Sequence, residues 1–220
     1  MIKRLAIIPA RIGSKRIKQK NIKKIGSKTL IESTLDVLKK SNLFHTIHVS
    51  TDSIKIKKFT ERKKLLVDFM RPKSLAGDKV PVSDVINFVI KSFKRMDINF
   101  DEIWLIYASN PFLSIKHIKK GYKLYKQNRG KFSIMTVSNY NYPINWALSL
   151  GKKNNLKLIG NKFNFKSKKI VCEAGMFIIY QKQFIKNNKN LKYKGYEIPI
   201  WDTIDIDTMD DFIMAKKLLK

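Results

Sequence analysis

Short apolar runs of strand length alternate along the chain with longer stretches whose apolar positions recur at helical spacing, the pattern that βα units of a mostly parallel sheet produce. Leu5 to Pro9 predicts a first strand, and a polar, basic loop follows from Arg11 to Asn21. Thr29 to Lys40 predicts a helix with Leu30, Ile31, Leu35 and Leu38 on one face. His45 to Ser50 predicts a second strand, after which Thr51-Asp52-Ser53 offers side chains suited to cap a helix through Ile54, Phe59 and Lys63. Leu65 to Phe69 predicts a third strand, and Arg71-Pro72 opens a loop running to Val80. Val82 to Met96 predicts a helix, Ile103 to Tyr107 a strand, Ile115 to Gln127 a helix and Phe132 to Val137 a strand.

The alternation then breaks. Residues 139 to 170 are rich in Asn, Lys, Tyr and Pro and predict an excursion such as a β-hairpin arm. Val171 to Tyr180 resumes strand character, and Thr208 to Leu219 predicts a closing amphipathic helix capped by Thr208. With no internal repeat and no long Gly/Ser linker, residues 1–220 read as one α/β domain carrying that excursion.

Composition narrows the class. A chain of 220 residues that is 44% hydrophobic, with 13 Phe, 8 Tyr and 3 Trp, has material for a full core, which excludes general disorder. The formal charge of +29 would by itself point to a polyanion. However, 39 of the 46 basic residues are Lys scattered through every segment, whereas base-reading surfaces favour the Arg fork. With no RNP, zinc or helix-turn-helix signature beside the charge, a solvated basic shell that favours anionic substrates is preferred over dedicated nucleic-acid binding. The single Cys172 excludes an intramolecular disulfide and reads as a small core residue, and no Cys/His spacing suits zinc. The apolar start Leu5 to Ile8 imitates a signal peptide, but Pro9-Ala10-Arg11 ends it too early for a hydrophobic leader segment. Nothing approaches membrane-spanning length, so a cytoplasmic location is expected.

The chemistry concentrates in Ile7-Ile8-Pro9-Ala10-Arg11-Ile12-Gly13-Ser14-Lys15-Arg16-Ile17-Lys18-Gln19-Lys20-Asn21. A loop directly after a strand sits at the carboxyl edge of the sheet, where such folds bind ligands. Gly13 and Ser14 permit close backbone approach to phosphate, and Arg11, Lys15, Arg16 and Lys20 can neutralise a triphosphate. It is not a Walker loop, which places Gly four residues before Gly-Lys-Ser/Thr. Far along the chain, Asp205 and Asp207 alternate in an extended segment, so their carboxylates fall on one side and can share a hard cation. Asp210 and Asp211 lie where a helix start wants negative charge, and capping is the expected use. His45, His48 and His117 have no motif around them and read as packing residues on strand or helix surfaces.

The first loop resembles the signature I-I-P-A-R-G-G-S-K-R-I-x-x-K-N of the sialic-acid-type (acylneuraminate) cytidylyltransferases, with Ile12 standing where that family usually has Gly. Agreement continues in Val49-Ser50-Thr51-Asp52, Arg71-Pro72, Leu75-Ala76-Gly77-Asp78, Asp84-Val85 and Asp205-Ile206-Asp207-Thr208, nearly the whole chain in order. Tyr107-Ala108-Ser109-Asn110-Pro111-Phe112 and Glu173-Ala174-Gly175-Met176-Phe177 look most like the pseudaminic-acid branch, although Glu173 and Met176 replace that branch's Asp and Gln.

The resemblance implies a Rossmann-like fold of the nucleotide-diphospho-sugar transferase type and transfer of CMP from CTP to a nine-carbon sialic-like sugar acid, with release of pyrophosphate. It implies that Arg11, Lys20 and Asp207 are catalytic. Ala10, Gly13, Ser14, Asn21, Arg71 and Asp78 would bind nucleotide, and Tyr107, Ser109, Asn110, Glu173 and Phe177 would bind the sugar. Asp205 and Asp207 would hold Mg²⁺ or Mn²⁺, and a homodimer would form through the mid-chain excursion. Pseudaminic acid is favoured; N-acetylneuraminic, legionaminic or an eight-carbon acid are the alternatives, and a non-catalytic nucleic-acid-binding protein is the alternative from another class. The aromatic run Tyr140 to Trp146 reads equally as a sugar platform or a dimer contact.

Overall fold

In the first strand, β1 (Arg4–Pro9), Leu5, Ala6, Ile7 and Ile8 are all fully buried, and alternate residues join different cores. A strand buried on both faces belongs to the interior of a sheet covered by helices on each side. The computed structural model describes residues 2–65, 67–140, 147–150, 155–158, 169–185 and 190–219. After β1 come the two-residue strands β2 (Lys24–Ile25) and β3 (Lys28–Thr29), α1 (Leu30–Ser41), β4 (Thr46–Ser50) and α2 (Ile54–Arg62). Next are α3 (Val82–Lys94), β5 (Glu102–Ile106), α4 (Ile115–Gln127) and β6 (Ser133–Asn139). The rest comprises β7 (Leu148–Leu150), β8 (Leu156–Leu158), β9 (Val171–Ile179), β10 (Tyr193–Glu197) and α5 (Met209–Leu218).

Six strands form one sheet in the order β10-β6-β9-β5-β1-β4. The pairs β1–β4, β1–β5 and β10–β6 are parallel, and only β9 runs antiparallel to its neighbours β5 and β6. Ala6 and Ile8 meet Ile31, Leu35 and Leu38 of α1 and Ile118 and Tyr125 of α4 on one face. Leu5 and Ile7 meet Ile86, Val89 and Phe93 of α3 on the other. The result is the three-layer, mostly parallel α/β architecture that the sequence pattern predicts. Its helices start where capping chemistry allows: Thr29 and Glu32 form a capping box on α1, Ser53 caps α2, and Thr208 with Asp211 caps α5.

The structure departs from the expectations in several places. Leu65 to Phe69 forms no strand among its described residues, and β4 is the sheet edge. Its apolar residues serve burial instead, with Val67 in one core and Phe69 packed on the other, while Arg71 N–H reaches Thr51 O at 2.8 Å. Strand β10 escaped the apolar pattern because it is an edge strand with mostly exposed side chains. Cys172 is an exposed free cysteine near the start of β9, not a core residue. His48 is fully buried and His117 nearly so, where surface packing was expected. Within 139–170, β7 and β8 pair antiparallel; residues 141–146 of the aromatic run lie outside the described residues, and Tyr140 is exposed. No helix among the described residues is long and apolar enough to cross a membrane.

Candidate active site

Two distant parts of the sequence are joined by a small apolar cluster. Ile17 of the first loop, Ile25 and Leu30 pack with Ile206 just before α5 and with Phe212 and Ala215 on it. Burying these side chains fixes the loop after β1 against the acidic segment, and polar contacts then set the register. Lys20 opens a 3-10 turn over Lys20–Ile22, and its Nζ donates to Ile206 O at 2.7 Å and to Asp207 Oδ1 at 2.9 Å. Arg16 Nη2 donates to Asp207 Oδ2 at 2.8 Å. Partial burial would raise the Asp207 carboxyl, but Lys20 and Arg16 outweigh it and hold it below the ordinary carboxylate range.

Opposite this contact stands Asp78. Its carboxylate takes Arg11 Nη1 at 2.5 Å and Lys15 Nζ at 2.8 Å, and Lys15 and Arg11 hold its pKa below the ordinary value. Both ion-pair clusters line one cleft of about 500 Å³, bounded also by Pro9 of β1, Leu75, Gly77 and Val80, Val82 and Val85 of α3, and Tyr107 to Ser109 after β5. The apolar wall of Leu75, Val80, Val82 and Val85 was not anticipated; Leu75 and Val85 entered the sequence reading as parts of family motifs.

At the base of the cleft, Arg71 is 6% exposed, yet its Nε and Nη2 have no hydrogen-bond partner among the described residues. Asp52 Oδ1 stands 4.0 Å from Nη2, too far for a hydrogen bond. Burial, opposed by Asp52 and assisted by Arg11, lowers the pKa of this guanidinium. A buried donor fork left unpaired is costly, so it marks a place where a ligand's acceptors belong. Asn21, also buried and lining the cleft, donates from Nδ2 to Arg11 O at 3.2 Å and keeps its carbonyl free for other use.

Asp205 lies beside the cleft. Burial raises its carboxyl pKa, partly offset by the nearby Ser109 and Lys20, and its buried Oδ1 has no partner among the described residues. Gly175, at φ +57°, makes room for it: a Cβ there would come within 2.6 Å of Asp205 Oδ2. The charge of Asp207 raises the Asp205 carboxyl further. No group of three or more His, Cys, Asp or Glu gathers around one point among the described residues. Two hard carboxylates with one orphaned buried oxygen fit a hard divalent cation that takes its other ligands from phosphate and water.

The remaining candidates divide. Ser14, Tyr107 and Ser109 line the cleft, and Glu173 stands near Tyr107 with its side chain exposed. Gly13 sits on the loop with open space where a Cβ would stand. Ala10 is fully buried, with its N–H on Ser50 O at 2.9 Å. Asn110 is fully buried and spends its amide on Ala174 O and Asp202 O, while its Oδ1 accepts from Phe112 N–H. Phe177 is fully buried between Trp104 and Tyr196. Neither Asn110 nor Phe177 faces the cleft. Ile12 packs against the first core, and its N–H donates to Asp52 Oδ1 at 3.3 Å.

A family model described as cytidylyltransferase matches residues 5–194. The chain is 30% identical to a pseudaminic acid cytidylyltransferase of Campylobacter jejuni (serotype O:23/36, strain 81-176), covering 100% of this chain and 97% of the relative. It is 31% identical to a CMP-N,N'-diacetyllegionaminic acid synthase of Legionella pneumophila (strain Philadelphia 1), covering 98% of this chain and 96% of the relative. Among solved structures, one of CMP:2-keto-3-deoxy-manno-octonic acid synthetase complexed with CTP superposes with a TM-score of 0.73 at 13% identity, over 99% of this chain and 98% of that one.

Proposed function

The chain belongs to the cytidylyltransferase family, and from that premise we propose that it joins CMP from CTP to the anomeric hydroxyl of a nine-carbon sialic-like sugar acid, releasing pyrophosphate. The observation that carries the reading is the contact of Lys20 and Arg16 with Asp207, which brings a cationic loop and an acidic segment to one cleft. Full-length identity to enzymes named for pseudaminic and diacetyllegionaminic acid supports this acceptor class, with pseudaminic acid favoured.

Four cations, Arg11, Lys15, Arg16 and Lys20, face two carboxylates, Asp78 and Asp207, so the free cleft keeps an excess of positive charge for a triphosphate. The triphosphate displaces Asp78 from Arg11 and Lys15. Arg11 and Lys20 then stabilise the charge that develops as pyrophosphate departs, because fixed cations need no reorganisation at that moment. Arg71 and Asn21 supply donors and an acceptor to the pairing edge of cytosine. Tyr107 and Ser109 border the side from which the sugar's hydroxyl would approach the α-phosphorus in line. Asp205 and Asp207 would hold Mg²⁺ or Mn²⁺, whose chemistry is charge neutralisation on the phosphates. A dimer formed through the 139–170 excursion and a cytoplasmic location complete the proposal; exposed Tyr140 and Leu156 in the excursion, with Val171 just after it, favour the first.

The deciding experiment incubates the protein with Mg²⁺, each of the four nucleoside triphosphates and a panel of pseudaminic, legionaminic, N-acetylneuraminic and eight-carbon acids, and measures pyrophosphate. CTP alone should turn over, with a nine-carbon acid. Equal turnover of UTP would remove the base assignment of Arg71 and Asn21, and turnover restricted to the eight-carbon acid would remove the acceptor assignment.

A further inference from the structure

The segment that delivers Arg71 to the cleft leaves α2, passes the edge strand β4 and reaches the cleft without a strand ladder of its own. Among the described residues its backbone ties are few: Leu65 N–H on Thr60 O at 3.2 Å at one end, and Arg71 N–H on Thr51 O at 2.8 Å at the other. Between them, a side-chain pair holds it. His48, on β4 beside Ile7 of β1, is fully buried, and its Nδ1 lies 3.1 Å from Asp68 Oδ2. The His48 ring stacks on Phe69 with centroids 4.4 Å apart and meets Phe93 of α3 edge-on at 5.3 Å. A carboxylate can only accept, so the proton in this contact sits on Nδ1. That bond, set against burial, lowers the pKa of Asp68 and keeps it an acceptor.

We propose that the His48–Asp68 pair is a positioning device for base recognition: it fixes the 67–70 segment on the sheet edge so that the buried, unpaired guanidinium of Arg71 is already aimed into the nucleotide cleft. The inference rests on the reading of Arg71 as a base contact and adds His48 and Asp68 as residues that act through it. Preorganisation is the physical reason. A long cationic side chain that must be ordered when ligand arrives loses affinity, whereas one fixed beforehand does not. Neither residue lines the cleft.

The test measures kcat and KM for CTP, the preference for CTP over UTP, and thermal midpoints in D68A, D68N, H48F, R71K and the double variant D68A/R71K. In D68A, KM for CTP should rise about tenfold and the CTP preference should narrow, with kcat changing less than about twofold, since one order of magnitude corresponds to about 1.4 kcal/mol of binding. D68N retains an oxygen that accepts from Nδ1 and should recover most of the loss. H48F keeps the aromatic stack without the donor and should behave like D68A at a similar thermal midpoint. D68A should add little in the R71K background, because both changes remove one interaction.

If D68A and H48F lower the thermal midpoint while leaving KM and the CTP preference as they were, the pair is structural only and the proposal is overturned. If R71K itself leaves KM and base preference unchanged, the base reading of Arg71 fails. R71K behaving as expected while D68A does not would reject the positioning role alone.

Discussion

The two ends of the cleft are built in different ways. At the nucleotide end, residues singled out by chemistry, Arg11, Ser14, Lys20 and Asp207, and residues singled out by the family resemblance, Asn21, Arg71 and Asp78, all line one space. At the acceptor end, the residues singled out by motif divide between surface and scaffold. Tyr107 and Ser109 line the cleft, while Asn110 and Phe177 are buried with their contacts made to the protein itself. A triphosphate needs many cations held close together, and charged side chains stay at a wet surface. A sugar is recognised by few groups, whose positions depend on what lies beneath them. A residue typical of a family can therefore be typical because it supports the site and not because it touches the ligand.

The largest expected effect tests the nucleotide end. Asp207→Ala should lower kcat/KM by about 10³ with Mg²⁺ present, the upper range for removing one electrostatic element of an active site, while circular dichroism shows the fold retained. A change below threefold would deny Asp207 its role. Phe177→Ala should instead cost about 3–5 kcal/mol of folding stability, as for a large aromatic removed from a core. At a temperature where that variant is folded, KM for the sugar acid should stay within about threefold. A large KM effect there would return Phe177 to the site and blur the contrast between the two ends.

Smaller effects sharpen the contrast. Asp78→Asn removes the internal anion that competes with the triphosphate, so KM for CTP at low salt should fall about threefold; the pair is exposed and screened by salt, so the effect stays small. A rise in KM would mean that Asp78 contacts the nucleotide directly. The smallest effect concerns pH. His117 bonds through Nδ1 with Ser114 Oγ at 3.1 Å and faces Asp202 Oδ2 at 3.4 Å through Nε2. Burial lowers its pKa despite Asp202. Because the folded value lies below the unfolded one of about 6.5, the unfolded chain takes up the proton first. Stability from this group is therefore complete above pH ~6.5 and declines as pH falls towards the folded value. Thermal midpoints measured from pH 7.5 to 5 should decline less in His117→Asn than in the wild type, and parallel declines would remove His117 as the cause.

The sequence alone determined the layered α/β plan, because strand and helix periods are local properties of the chain, and it determined where the cationic loop lies, because a loop directly after a first strand emerges at the sheet's carboxyl edge. The same logic misread Leu65 to Phe69, since apolar residues report burial and cannot say whether a ladder or packing provides it. It also missed His48, whose significance lies in Asp68, Phe69 and Phe93 being brought around it. Only the tertiary structure decided that Asn110 and Phe177 are buried with their contacts made to the protein, that Asp78 pairs with the loop cations, and that Arg71 is buried with Nε and Nη2 unpaired among the described residues. These are properties of what stands opposite a side chain after folding, and a linear pattern carries the direction of a side chain without its partner.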